Sequence, residues 1–532
     1  MLLQLSQVKT SLDDGGTSAI FKTIKALALR EEQVISAKVS RLSVDARKKN
    51  EIHFVSSVVV EVENTLGTKL LKRKINGLTE IKPASEPQFA FGSIKMSGRP
   101  VVIGFGPAGM FSALLLAQKG YCPIVLERGA SIDQRADAVK RYWNGEPLDT
   151  NSNVQFGEGG AGAFSDGKLT TRINDPLCSY VLSELVRHGA PQDILIKAKP
   201  HVGTDIMRKV VASIRNEIIS LGGEIRFLCK AEGFKISGGK IAAVTANGED
   251  VNTEAVIAAV GHSARDTFRC FDSAGAVIIP KPFSVGARIE HLQSDINNSL
   301  YGKFAGHPNL PVGEYQLSHR VGDRAAYTFC MCPGGMVVAS ASEDGQTVTN
   351  GMSYRARNLK NANSALVISV DSADYGESWR DSVAFQQRVE NNAFKAGENG
   401  KYAPMMKVGD MLGTSETYGF GIAEPSYPRG VKEFDLTQLF PKQVSEFMIN
   451  SLPILGKKLH GFDSANALLT GVETRTSSPV RILRKADFTA ENIEGLYPCG
   501  EGAGYAGGIT SAAVDGLRCA MAVMRKYSPI DI

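Results

Sequence analysis

Apolar residues change their period several times along the chain, and the changes divide it. Residues 1–5 read as a strand, and residues 17–30 carry Ile20, Phe21, Ile24, Leu27 and Leu29 on roughly one helical face. Residues 34–44 and 52–62 alternate or run apolar with β-branched residues, as paired strands do. This predicts a small α+β unit over residues 1–95, ending around the linker PASEPQ (83–88). From Arg99 the pattern becomes strand, glycine turn, helix, strand. Residues 225–251 read as a three-stranded meander with turns at Gly238-Gly239 and Gly248, and 255–260 as a short buried strand ending at Gly261. Between about 280 and 465, strands (327–329, 336–341, 365–370) mix with a polar helix near 382–396. The end returns to strand, glycine-rich turn and helix, and there is no internal repeat.

Composition adds a few exclusions. A chain of 532 residues is too long for one core, so two or three domains are expected. Its 54 glycines suggest many tight turns and loops lying close to a ligand. The net charge of +5 is spread without a long run, and KLLKRK (69–74) reads as a solvated edge. There is no strong nucleic-acid signal. Eight scattered cysteines without a C-x-x-C pair do not make a disulfide framework. The opening MLLQLSQVKT lacks the features of a secretion signal. The apolar stretch 101–118 is broken by Gly104, Gly106, Pro107 and Gly109, which suits a strand-turn-helix rather than a membrane span. The expectation is a cytoplasmic protein with no membrane partner.

The sharpest motif is Val101-Val-Ile-Gly104-Phe-Gly106-Pro107-Ala108-Gly109, followed by a helix and then Ile124-Val-Leu-Glu127. Gly104 permits the tight turn, Gly106 lets the backbone approach a pyrophosphate, and Gly109 lets the helix pack on the strand. A helix starting near Pro107 offers free N–H groups and its positive dipole end to phosphates. Glu127, at the end of the next strand, can accept both ribose hydroxyls and would repel the 2′-phosphate of NADP. A second glycine-dense segment, Phe156 to Lys168, holds Gly160, Ala161, Gly162, Ser165 and Asp166 and can wrap a planar cofactor, or is a flexible surface loop. Gly507 and Gly508 precede a helical run with Ala513, Leu517, Ala520 and Met524 on one face, so its N-terminus can stabilise negative charge on a bound cofactor.

The segment Gly104–Gly109 with Glu127-Arg128-Gly129 resembles the opening of the glutathione-reductase-type flavoproteins. The stretch 495–509, with Gly500, Glu501, Gly508 and Ile509, is similar to that group's second FAD motif; most members have Asp where this chain has Glu501. Ala258-Ala-Val-Gly261-His262-Ser263 resembles the turn that closes the FAD domain. Residues 97–532 resemble a widespread bacterial family described only as FAD-dependent (or NAD/FAD-utilising) dehydrogenases, through GGAGAFSDGKLTTR (159–172), GHSARDT (261–267), FCMCPGG (329–335) and ETRTSSPVRI (473–482). The resemblance implies an α/β fold with a Rossmann-like, three-layer ββα FAD domain of glutathione-reductase type in two parts, 97–280 and 465–532. A mixed α+β substrate domain, 281–464, is inserted between them. Arg135 and Ala231 complete the expected FAD contacts.

FAD would carry the redox chemistry while the protein orients and tunes it. Lys168 either reaches the pyrimidine edge of the flavin or is a surface lysine. His262 either shuttles a proton or is structural, and Arg475 can bind an anionic substrate group. Cys330 and Cys332 share one face of an extended chain and are either a flavin-coupled thiol pair or buried structural cysteines. No Ser-His-Asp set, metal cluster or P-loop emerges. Only one dinucleotide fingerprint is present, so NADH or NADPH binds transiently or electrons pass directly between a substrate and another acceptor. The expected function is hydride transfer between flavin and a small organic molecule. The alternatives are a flavin enzyme acting on RNA and a non-enzymatic flavin-bearing sensor that docks through residues 1–95.

Overall fold

The computed structural model describes residues 1–82, 87–415 and 419–530. At the N-terminus, β1 (Leu2–Thr10), β2 (Ser36–Asp45), β3 (His53–Glu61) and β4 (Leu78–Ile81) form an antiparallel sheet in the order β2-β3-β1-β4. Alternation along β1 and β3 sends Leu3, Leu5, Val58 and Val60 to one side, against the helices Ala19–Leu27 and Asn64–Lys72. The buried line of the first helix is Ala19, Thr23 and Leu27, four residues apart, and Phe21 on the expected stripe is 68% exposed. The unit is stitched to the rest of the chain by backbone bonds from Leu42 N to Ile196 O (2.7 Å) and from Ala198 N to Leu42 O (2.9 Å). Most of the expected linker, residues 83–86, lies outside the described residues.

The glycine turn at 104 belongs to a five-stranded parallel sheet. Its strands are β5 (Val101–Ile103), β6 (Ile124–Leu126), β7 (Glu224–Arg226), β11 (Val256–Ala258) and β22 (Leu496–Pro498), in the order β22-β11-β5-β6-β7. One face carries Val101, Ile103, Leu126 and Val256 against the meander β8 (Ala231–Ser237), β9 (Lys240–Ala246) and β10 (Glu249–Asn252). The other carries Val102, Val125 and Ile257 against the helices Pro107–Gln118, Thr204–Ser220 and Ile509–Lys526. Short strands covered on both faces must be apolar throughout, which explains the unalternating runs VVI, IVL and VIA. The helix Pro107–Gln118 is buried from Ala108 to Ala117, so the apolar stretch 101–118 is interior. Among the described residues, no helix is long and apolar enough to cross a membrane.

A second large sheet lies between these segments. It comprises β13 (Phe283–Leu292), β14 (Ser318–Val321), β15 (Arg324–Ala339), β16 (Thr349–Met352), β17 (Asn361–Val370), β18 (Ala403–Lys407), β19 (Val431–Glu433) and β20 (Leu468–Glu473). A two-stranded ribbon, β12 (Ile278–Pro280) with β21 (Val480–Ile482), flanks it. The expected strands at 327–329 and 336–341 are one strand, β15, interrupted by bulges between Phe329 and Cys332 and between Cys332 and Gly335. One face of the sheet is apolar: Phe283, Val285, Ala287 and Ile289 pack on the helices Trp379–Ala396 and Lys442–Lys458. The other face presents Arg288, Glu290, Asn363 and Glu473, all buried.

The helix Pro107–Gln118 packs tightly on the turn after β5 at Gly109, where an added Cβ would lie 1.9 Å from Gly104 O. Gly109→Ala is expected to lower stability by about 1–3 kcal/mol through overpacking. Gly233→Ala, whose Cβ would have nothing within 4 Å, should leave the urea midpoint nearly unchanged. Comparison of the two midpoints checks this.

Candidate functional site

Gly104 turns out of β5 with φ +89° and donates its N–H to Leu126 O at 2.8 Å. Gly106 then caps the helix Pro107–Gln118, with Pro107 in its first turn and Ala108 behind it, which leaves the leading N–H groups open. Glu127, 4% exposed at the end of β6, fixes this turn. Its Oε2 accepts from Phe105 N (2.7 Å), and its Oε1 accepts from Gly129 N (2.8 Å) and Gly157 N (3.0 Å). A carboxylate offers about four acceptor positions, so one remains for a ligand hydroxyl. Arg128 lies over the Phe156 ring at 4.3 Å and pairs with Asp266 at 2.6 Å. Together with Lys230, Ser263 and Arg265, these residues line a crevice of about 250 Å³. Ala231 begins β8 beside it and is buried.

Arg135 is fully buried and organises the glycine-dense segment. Its Nε donates to Asn153 O (2.8 Å) and Nη2 to Val154 O (2.9 Å). Its Nη1 donates to Gly157 O (3.2 Å), Glu158 O (2.6 Å) and Gly160 O (2.9 Å). The segment is thereby curled over the turn: Gly159 N donates to Phe105 O at 2.8 Å, and a Cβ on Gly160 would come 2.9 Å from Gly106 Cα. Ala161 and Gly162 form a short 3-10 turn, with Gly162 facing Ile509. Ser165 Oγ closes the turn on Gly162 O at 2.9 Å.

Beyond the turn, Asp166 is fully buried and held by two bonds from Arg357, one of them Nε to Oδ1 at 2.9 Å. Lys168 pairs with Glu314 at 3.4 Å, and Glu314 also meets Lys199 (2.9 Å) and Arg357 (3.7 Å). Burial alone would raise the Glu314 carboxyl; Lys168, Lys199 and Arg357 outweigh it and hold the group down at about 2.

From the other side, β22 leads into Gly500, whose N–H donates to Asp515 at 2.7 Å, and Glu501, which burial pushes up to about 7 against the pull of Lys281. Gly508 opens the helix Ile509–Lys526, and Cβ atoms on Gly507 or Gly508 would meet nothing within 4 Å. Thr510 Oγ1 ties this helix to the glycine segment through Leu169 O at 2.8 Å. Gly261, with φ +75°, lies against Gly502, where a Cβ would come 2.5 Å from Gly261 O.

Two expected chemical residues have other partners. Burial, helped by Arg475 and Arg265, holds His262 down at about 3, so it is neutral near pH 7. Arg475 gives its donors to Glu390 (3.1 Å from both Nε and Nη2), Gln346 (2.8 Å) and Ser342. Glu390 is shared with Arg265 at 2.8 Å, so the anion that Arg475 holds here belongs to the protein. Sequence reasoning missed the buried polar face of the large sheet: Arg288 donates to Asn363 Oδ1 (3.1 Å), Glu473 Oε1 (3.3 Å) and Cys330 O (2.9 Å). The alternation FSVGARIEHL of β13 already separates Arg288 and Glu290 from the apolar residues.

Residues 282–476 match the family described as "FAD-dependent protein, C-terminal domain-like". An uncharacterised protein of Clostridium beijerinckii is 43% identical over 532 residues, covering 99% of each chain. The chain belongs to the same family as that protein. Among solved structures, CtdE in complex with FAD covers 80% of this chain and 82% of its own at 11% identity and a TM-score of 0.31. Glycine oxidase from Bacillus cereus covers 81% and 99% at 12% identity and a TM-score of 0.33. Both overlaps are loose.

Arg135→Met removes the guanidinium donors of five backbone carbonyls, of which Gly157 O and Gly160 O keep a backbone N–H, and is expected to cost at least about 3 kcal/mol; urea unfolding measures it. Glu501 supplies a second prediction. A carboxyl raised in the folded state from 4.5 to about 7 stabilises below about 4.5 and loses that contribution as pH rises through 7. In flavin-free protein, wild-type stability relative to Glu501→Gln should therefore fall between about pH 5 and about pH 8. Histidines held low slope the opposite way but are common to both proteins and drop out of the difference.

Proposed function

We propose that the chain is a FAD-dependent oxidoreductase that transfers a hydride between flavin and a small organic substrate, with FAD held in a glutathione-reductase-type arrangement. One observation carries the reading. The open N-termini of the helices Pro107–Gln118 and Ile509–Lys526 meet a single glycine segment, Gly160 at Gly106 and Gly162 at Ile509. The residues fit the cofactor. Gly106 and Ala108 present N–H groups where a pyrophosphate can lie, Glu127 keeps one acceptor position for a ribose hydroxyl, and the crevice at Arg128 suits an adenosine. Bound FAD supplies two-electron chemistry.

The protein's own contribution is electrostatic and steric. Open space at Gly507 and Gly508 lets the second helix direct its positive end toward the negative charge of a reduced ring. Glu501 can hold or release a proton near neutral pH. Lys168 is the cation of the glycine segment, steadied by Glu314.

Gly106→Ala tests this reading cleanly. The new Cβ would have only Gly160 Cα nearby, at 3.6 Å, and φ is −77°, so the fold should tolerate it. FAD affinity should fall at least about tenfold, because the methyl group takes the space of the pyrophosphate. Unchanged affinity by calorimetric titration would refute the placement.

A further inference from the structure

We propose that Cys330 and Cys332 form a redox-active disulfide that accepts two electrons from the flavin. The inference rests on the FAD reading above.

In a straight strand, residues i and i+2 stand about 6.5 Å apart. A disulfide needs its Cβ atoms about 3.5–4.5 Å apart, so C-x-C on a regular strand cannot close. Here the strand is not regular. Phe329 pairs with Ala365 and Cys332 with Asn363, so three steps along β15 meet two along β17. The extra residue is absorbed at Cys330, which takes φ +44°. Met331 turns into the apolar layer, the Cys332 thiol donates to the carbonyl of Cys330 at 3.3 Å, and the Cys330 thiol stands within hydrogen-bonding reach of the Cys332 sulfur.

The surroundings favour one thiolate and one thiol. Arg288, fully buried, places Nη2 3.5 Å from Cys332 Sγ. The Cys330 hydrogen bond, and then Arg288, lower Cys332 to about 7 against burial, while Cys330 is pushed up. Glu473 shares Arg288; its Oε2 has no hydrogen-bond partner although the residue is only 4% exposed, and burial raises it to about 7. The pair also borders the glycine segment. A Cβ on Gly334 would come 1.8 Å from the carbonyl of Arg357, whose guanidinium holds Asp166. Asp166 and Lys168 both act on Cys332 through space.

In the step, the S–S bond breaks and the two electrons come from reduced flavin, which also gives one proton. That proton forms the S–H bond of Cys330, while Cys332 leaves as the thiolate beside Arg288. A low-molecular-weight disulfide restores the bond by thiol–disulfide exchange and is itself reduced to two thiols.

The test uses the full chain with FAD bound, equilibrated with oxidised glutathione and then freed of it. Alkylation in denaturant with peptide mapping should show two of the eight cysteines lost, at 330 and 332. Anaerobic photoreduction of the flavin in wild type should then return both thiols and consume twice the reducing equivalents that Cys332→Ser or Cys330→Ser needs. Wild-type protein serves even if a variant fails to fold. Eight free thiols after glutathione, or a bleached flavin with both thiols still missing, would overturn the proposal while leaving the FAD reading intact. A chain that shows no flavin band overturns the FAD reading, and the electron route falls with it.

Discussion

The Arg135 guanidinium, sealed from water among five backbone carbonyls, is the constraint on which the site depends. A segment as poor in side chains as 157–162 has little of its own to hold a shape, because glycine loses the most backbone entropy on ordering. One planar cation with fixed donor directions supplies the missing order. Burial brings that cation down to about 9, still charged near neutrality, with Glu127 and Glu158 nearby to support it. The curl it imposes sets Gly159 on Phe105 O and Gly160 on Gly106. Glu127 then locks the same two segments from the other side.

A second layer of order comes from paired buried charges. Arg265 and Arg475 share Glu390, Arg357 holds Asp166, and Arg288 sits with Glu473. Such pairs add little net stability over apolar packing, since desolvation offsets much of their attraction. What they fix is position: the Arg265–Glu390–Arg475 set fastens the helix Trp379–Ala396 to the end of β20 and to the segment after Gly261. The Arg357–Asp166 pair likewise ties the segment before β17 to the glycine segment.

Much of the parallel-sheet layer was legible, because its short strands, glycine turns and apolar helix are each dictated locally. Gly104, Gly106 and Gly109 stand where turn, capping and close packing require them. The meander followed from turn glycines at 238, 239 and 248. The large sheet was less legible. The bulges of β15 depend on its pairing with β17, and two strands were expected where one irregular strand runs. The polar face of β13 looks solvent-facing by alternation, and only tertiary packing buries it. Arg135 had been expected beside the cofactor, and its carbonyl partners lie a loop away in the sequence, beyond the reach of spacing arguments.

The central claim is that these glycine segments exist to hold FAD. The most direct measurement is to denature the purified protein, separate what it releases and identify it by mass and absorbance. The account predicts FAD, close to one equivalent per chain, taken up again by the refolded or flavin-stripped protein. FMN in its place, or no flavin bound even after incubation with excess FAD, would contradict it.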